Sequence, residues 1–249
     1  MKSIKFLLNV IWCFVLIVII ILFISNHSTK RIPEHMFTKS AKDINVINNK
    51  ILDSLLFTNK YALLIIGIND CDLCQTPKMI QIPDSFHVTK YYFDIKFHKN
   101  NLIFSQALYT KGFPTSYIID KNYNVLGIIN GSTNYLNKID SIIIHNHKLC
   151  PLQIDGNVKS TNVITVLSYS VKTIMAYFKN DYDKVYALSL RSKTYGSYFF
   201  NNYMLYSYFK NKGNSDSILF YRKQTLKYNN HVNKYIFKSL IDSMASIKK

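Results

Sequence analysis

An apolar run from Tyr61 to Ile68 stops at Asn69-Asp70 and leads at once into Cys71-Asp72-Leu73-Cys74. A short, continuous apolar run bounded by turn-forming residues fits a central strand buried on both faces. Two cysteines at this spacing lie about one helical turn apart. A helix beginning near Cys71 therefore brings two thiols together at one end of the sheet. In such a pair the first thiolate attacks a disulfide and the second resolves the mixed disulfide.

The surrounding pattern is alternating. Asp43 to Phe57 has helical apolar spacing, and His87 to Ile95 reads as a strand. The helix that starts near Cys71 ends or kinks around Pro77 or Pro83. Asn101 to Tyr109 reads as a crossover helix. Thr115–Ile119 and Val125–Ile129 flank the turn-rich Asp120-Lys121-Asn122-Tyr123-Asn124, which predicts an antiparallel hairpin. Ser132 is the expected cap of a last helix running through Ile144. The predicted order is α-β-α-β-α-β-β-α.

Gly112-Phe113-Pro114-Thr115 precedes the second strand run, and Gly131-Ser132 precedes the last helix. With these landmarks around the cysteine pair, the segment resembles the thioredoxin fold and its thiol–disulfide oxidoreductases. The resemblance implies an α/β thioredoxin-like domain over residues 40–150, a central mixed sheet flanked by helices. It implies Cys71 as nucleophile and the more buried Cys74 as resolving thiol. It also implies Pro114 as a cis-proline against which substrate backbone pairs, with Phe113 shaping the substrate groove. No cofactor and no metal are implied.

The chain departs from the family pattern in several places. Asp70 stands where the family commonly has Trp, and Asp72-Leu73 replace Gly-Pro between the cysteines. The family's buried acid falls on Ile65, with Asp94 as a candidate substitute. Acidic side chains beside a thiolate oppose its stabilisation. They point to a reducing or slow-exchange role rather than a strong oxidant.

Phe6 to Ile24 is almost wholly apolar, follows Lys2 and Lys5, and has the length needed to cross a bilayer. No small-x-small site follows it, so residues 1–26 read as an uncleaved signal anchor. Residues 27–39 read as a tether. Disulfide chemistry belongs to oxidising compartments. The expected location is therefore a cell inner membrane, crossed once, with the bulk facing the periplasm or cell exterior.

The net charge is +17, but the basic residues are scattered singly, so no nucleic-acid partner is expected. Anionic lipid headgroups near the surface account for the basic balance. Cys150, and the cluster it makes with His145 and His147, read as a domain end rather than a resolving thiol or a zinc site.

Residues 151–249 read as an all-α C-terminal module. Tyr177-Phe178-Lys179-Asn180 and Tyr208-Phe209-Lys210-Asn211 each close a helix-like run at similar points. Their offset resembles degenerate tetratricopeptide repeats, whose period is about 34 residues; a plain bundle is the alternative. Ala187 and Gly196 are candidate close-packing positions.

Two functional classes follow. One is a membrane-anchored oxidoreductase acting on disulfides of exported proteins, fed by a thiol electron donor. The other is a redox-idle scaffold of the cell envelope that recognises a partner through its helical tail.

Overall fold

The computed structural model describes residues 42–44, 50–51, 53–54 and 59–228. The expected anchor at Phe6–Ile24, the tether and residues 229–249 lie outside these. Among the described residues, no helix is long and apolar enough to cross a membrane.

Five strands form one mixed sheet: β1 (Lys42–Ile44), β2 (Tyr61–Gly67), β3 (Val88–Asp94), β4 (Thr115–Asp120) and β5 (Val125–Asn130). Their order is β1-β3-β2-β4-β5. β1 and β2 run parallel to β3, while β4 is antiparallel to both β2 and β5. β2 is central, and Ala62 to Ile66 are each at most 1% exposed. A strand covered on both faces has no solvent side for a polar residue, which is why its run does not alternate.

The front of the domain differs from the sequence reading. Asp43 and Ile44, expected within a helix, instead belong to β1, which pairs along β3 opposite Tyr91–Phe93. Ladder bonds to a strand far along the chain decide this segment, and local apolar spacing carries no trace of them. Helical backbone does appear further on, at Lys50, Ile51, Asp53 and Ser54.

Among the described residues, three further helices belong to this part: α1 (Asp72–Met79), α2 (Lys99–Ala107) and α3 (Tyr135–Ile143). Pro77 lies within α1, which ends two residues later at Met79. Asn134, in the left-handed region at φ 51°, takes the N-cap position of α3, not Ser132. Asn tolerates that conformation better than most residues.

The helices divide between the two faces of the sheet. On one face, Lys78 of α1 lies over the Tyr92 ring and the Tyr135 hydroxyl of α3 donates to Ser116. On the other, Phe104 of α2 packs on Phe93, with ring centres 6.4 Å apart.

Beyond Cys150 come α4 (Val163–Phe178), α5 (Tyr182–Tyr195), α6 (Phe199–Lys212) and α7 (Ser215–Lys227), each packed on the next. This region is not all-helical as expected. β6 (Gly156–Val158) and β7 (Gly196–Tyr198) pair antiparallel. At Gly196, φ is 152° and an added Cβ would lie 2.5 Å from the Asn157 carbonyl oxygen. Its glycine therefore serves strand approach. Ala187, the other expected close-packing residue, is exposed.

α4 is the second layer of the sheet. Val163, Val166, Leu167, Val171 and Ile174 are buried at helical spacing and join Leu64, Ile66, Tyr91, Tyr117 and Ile119 in one core. Each such aliphatic side chain contributes about 1.5–3 kcal/mol by leaving water. Polar pins cross the same interface. The Ser168 hydroxyl accepts from the Val125 N–H at 2.9 Å. The fully buried Tyr198 hydroxyl sits between Ser170 and the Ala107 carbonyl, 3.2 Å from the latter. All described residues fall within one compact unit, Thr38–Lys249.

Candidate functional site

The cysteine pair is built from the end of β2. After Gly67 the chain turns, and the Cys71 N–H donates to the Ile68 carbonyl at 3.1 Å. Cys71 is the N-cap of α1 in extended conformation, and the Cys74 N–H donates to its carbonyl at 2.9 Å. Cys71 and Cys74 are joined in a disulfide, with Cα atoms 5.3 Å apart. Cys71 is partly exposed, whereas Cys74 is fully buried. Leu73 between them is 63% exposed.

Polar contacts hold this turn from behind. Asp94, at the end of β3, accepts from the Asn69 N–H at 3.3 Å and from the Lys96 N–H at 2.8 Å. Gln75 donates back to the Asn69 carbonyl at 3.1 Å. Lys96 pairs with Asp70 at 3.0 Å, both well exposed. Asp70 therefore has a cation beside it, while Asp72 stands exposed in the first turn of α1. Asp94 acts here as a brace for the loop.

Pro114 is buried, and its peptide bond with Phe113 is cis. Thr115 pairs with Ile66, so Pro114 lies at the end of the sheet from which the Cys71 turn leaves. The Pro114 carbonyl accepts from Gly131 at 2.9 Å, and the Thr115 hydroxyl donates to the Gly112 carbonyl at 2.6 Å. Phe113 is partly buried against the core. The residues singled out in the sequence thus gather at one sheet end.

Beneath the turn, Ile65 is wholly buried between Tyr92 and Ser116 in the register. No acid stands at that position. Two neighbours were not anticipated. The Lys90 ammonium donates to the Lys78 carbonyl at 2.8 Å and also to that of Ile80, which finishes the C-terminal end of α1. Cations suit that end of a helix, yet burial still pushes the Lys90 amine down to about 8. Gly67 lies under Tyr92, whose hydroxyl oxygen would be 2.7 Å from an added Cβ. A lysine inside the β3 run and a glycine ending the β2 run were their only signals in the sequence.

Cys150 packs against the core shared by the sheet and α4, and burial pushes its thiol up. His145 faces Asp140 at 3.4 Å, and His147 Nδ1 bonds the Ser141 hydroxyl at 2.8 Å. No group of metal-ligating side chains comes together among the described residues.

The strand order, the cysteine pair heading the helix after the central strand, and the cis-proline opening β4 define a thioredoxin-like fold, extended by a helical C-terminal region. Among solved structures, the chain is similar to a mutant thioredoxin from Halobacterium salinarum NRC-1. The two share 17% identity over 46% of this chain and 99% of that one, with a TM-score of 0.32. No protein-family model and no curated protein matches the chain.

Proposed function

We propose that this protein is a thiol–disulfide oxidoreductase working through Cys71 and Cys74. The observation that carries the reading is the asymmetry of the pair. Cys71 is partly exposed at the N-terminus of α1, and Cys74 is fully buried behind it. The helix N-terminus stabilises a thiolate on Cys71, which attacks an incoming disulfide. One sulfur of that disulfide leaves as a thiolate and takes up a proton. The Cys74 thiolate then attacks Cys71, releases the second client sulfur as a thiol, and regenerates the internal disulfide. The client is reduced and the pair oxidised; a thiol electron donor restores the pair.

In this reading the anchor at Phe6–Ile24 holds the activity at the outer face of a cytoplasmic membrane, with exported proteins as clients. Pro114 and Phe113 line the client's approach. The helical region, as degenerate tetratricopeptide-like hairpins, holds a partner.

Trapping tests the reading. Cys74→Ala should accumulate mixed disulfides with client proteins, and Cys71→Ala should accumulate few. The absence of clients on both variants would remove it. Ile65 in place of an acid favours the second reading, a redox-idle scaffold. Under that reading, partner capture persists in a Cys71→Ala/Cys74→Ala double variant.

A further inference from the structure

Away from the cysteines, two cavities of about 370 and 290 Å³ open between α4 and the β4–β5 hairpin. They share one lining residue, Lys172, and none of Cys71, Cys74, Phe113 or Pro114 lines either. Their sizes lie at the small end of the range for ligand pockets.

The charge around them is one-sided. Lys121, Lys172, Lys179 and Lys184 line the smaller cavity, whose acidic lining residue is Asp181. That carboxylate is occupied as the N-cap of α5, accepting from the Lys184 N–H at 3.1 Å. Lys179 is met by Asp53 at 3.0 Å. The larger cavity adds Lys148, and no carboxylate lines it among the described residues. A cleft lined by one sign of charge concentrates counter-ions.

Lys172 is held in place. Asp120 accepts from the Asn124 N–H at 2.8 Å and from its side-chain amide at 2.9 Å. The Asn124 amide oxygen in turn accepts from the Lys172 ammonium at 2.6 Å. Lys172 is partly buried, and its ammonium lies 5.8 Å from the centre of the Tyr169 ring. A cation already held in position gives up less side-chain freedom when it meets an anion than a mobile one does. Below it, Met175, Ala176 and Leu188 give the smaller cavity an apolar floor.

We propose that this cleft binds a small organic anion, its carboxylate or phosphate on Lys172 and its apolar body over Met175, Ala176 and Leu188. The head group needs the lysines and the body needs the floor, so neither half alone binds well.

Calorimetric titration of the full chain in detergent, at neutral pH and low salt, tests this with phenyl phosphate and phenylacetate as probes. At least one should bind saturably at one site per chain, and the tighter of the two identifies the head group. Inorganic phosphate and acetate, the bare head groups, and benzyl alcohol, which keeps the ring without the charge, should each bind at least about tenfold more weakly. Lys172→Gln should weaken the probe by about tenfold or more. The exposed pair Lys121→Gln/Lys184→Gln, which removes no core contact, should also weaken it, while Lys159→Gln outside the cleft should leave it unchanged. No saturable binding of either probe would overturn the proposal, as would unchanged affinity in the Lys121→Gln/Lys184→Gln variant.

Discussion

On one face of the sheet, Leu64, Ile66, Tyr91, Phe93, Tyr117 and Ile119 share a core with α2 and α4. On the other, Ile65, Tyr92 and Ser116 lie under α1 and α3. The first face is deep. It continues through α4 into the aromatic residues Tyr198, Phe199 and Phe200, all at most 2% exposed. The second is shallower. Its α1 has eight residues, leaves Leu73 and Met79 exposed, and half-buries a lysine at its far end. The large continuous core thus lies opposite the layer that carries the cysteines. A redox pair must present a sulfur to a partner, which deep burial forbids. The face turned to the helical region has no such demand.

The strongest challenge to this contrast is a charge in the deep face. Val171→Asp places an unpaired carboxylate where the side chain is 0% exposed, and should cost more than about 4 kcal/mol. Circular dichroism should show the sheet and the helices lost together. A sheet that keeps its structure while α4 to α7 melt would break the comparison.

The shallow face should feel volume in one place. Gly67→Ala drives a Cβ into Tyr92 and should cost about 1–3 kcal/mol in denaturant unfolding. Tyr92→Leu in the same chain should recover part of that loss. Additive costs would show that the two residues do not press on each other.

A smaller effect tests the pin between layers. Ser168→Ala leaves the buried Val125 N–H without its 2.9 Å acceptor, a cost of about 1 kcal/mol. Ser141→Ala, on the exposed side of α3, should change stability by less than about 0.5 kcal/mol.

The last contrast is read in pH. Burial lowers the Lys90 amine to about 8 in the fold, against an ordinary value of 10.5. Between those values the unfolded chain binds the extra proton, so stability rises with pH there, and the penalty of the buried charge is full below about 8. The buried hydroxyls of Tyr117, Tyr135 and Tyr198 are pushed up by desolvation. Each of these contributes stability that is present below about 10 and lost as pH climbs past the unfolded tyrosine value. Wild-type stability relative to Lys90→Met should therefore grow from about pH 8 to 9.5. The absolute stability of both chains should fall beyond about pH 10. A flat difference between about pH 7 and 9.5 would mean that the α1 carbonyls hold the amine at its ordinary value.

Much of the site was legible because its signals are local. A strand buried on both faces must be apolar throughout, so β2 showed itself, and the cysteines mark where it ends. The β4–β5 hairpin showed itself by turn chemistry at Asp120–Asn124, and Pro114 by its place in the thioredoxin-like pattern. What the residues could not reveal was which distant segment each one meets. Lys42–Ile44 is a strand only because β3 offers it a parallel edge. Gly196, expected at a close-packing position between helices, is instead part of β7, which forms only where β6 meets it.

Residue order alone specifies β2 to β5 and the cysteine pair, because periodicity, β propensity and turn residues act between near neighbours. Three-dimensional packing is what sets α4 over the sheet beside α2, brings Lys90 to the end of α1, and stands Lys172 between two cavities. Those arrangements depend on burial and hydrogen bonds between residues far apart in the chain, and no local pattern encodes the partner.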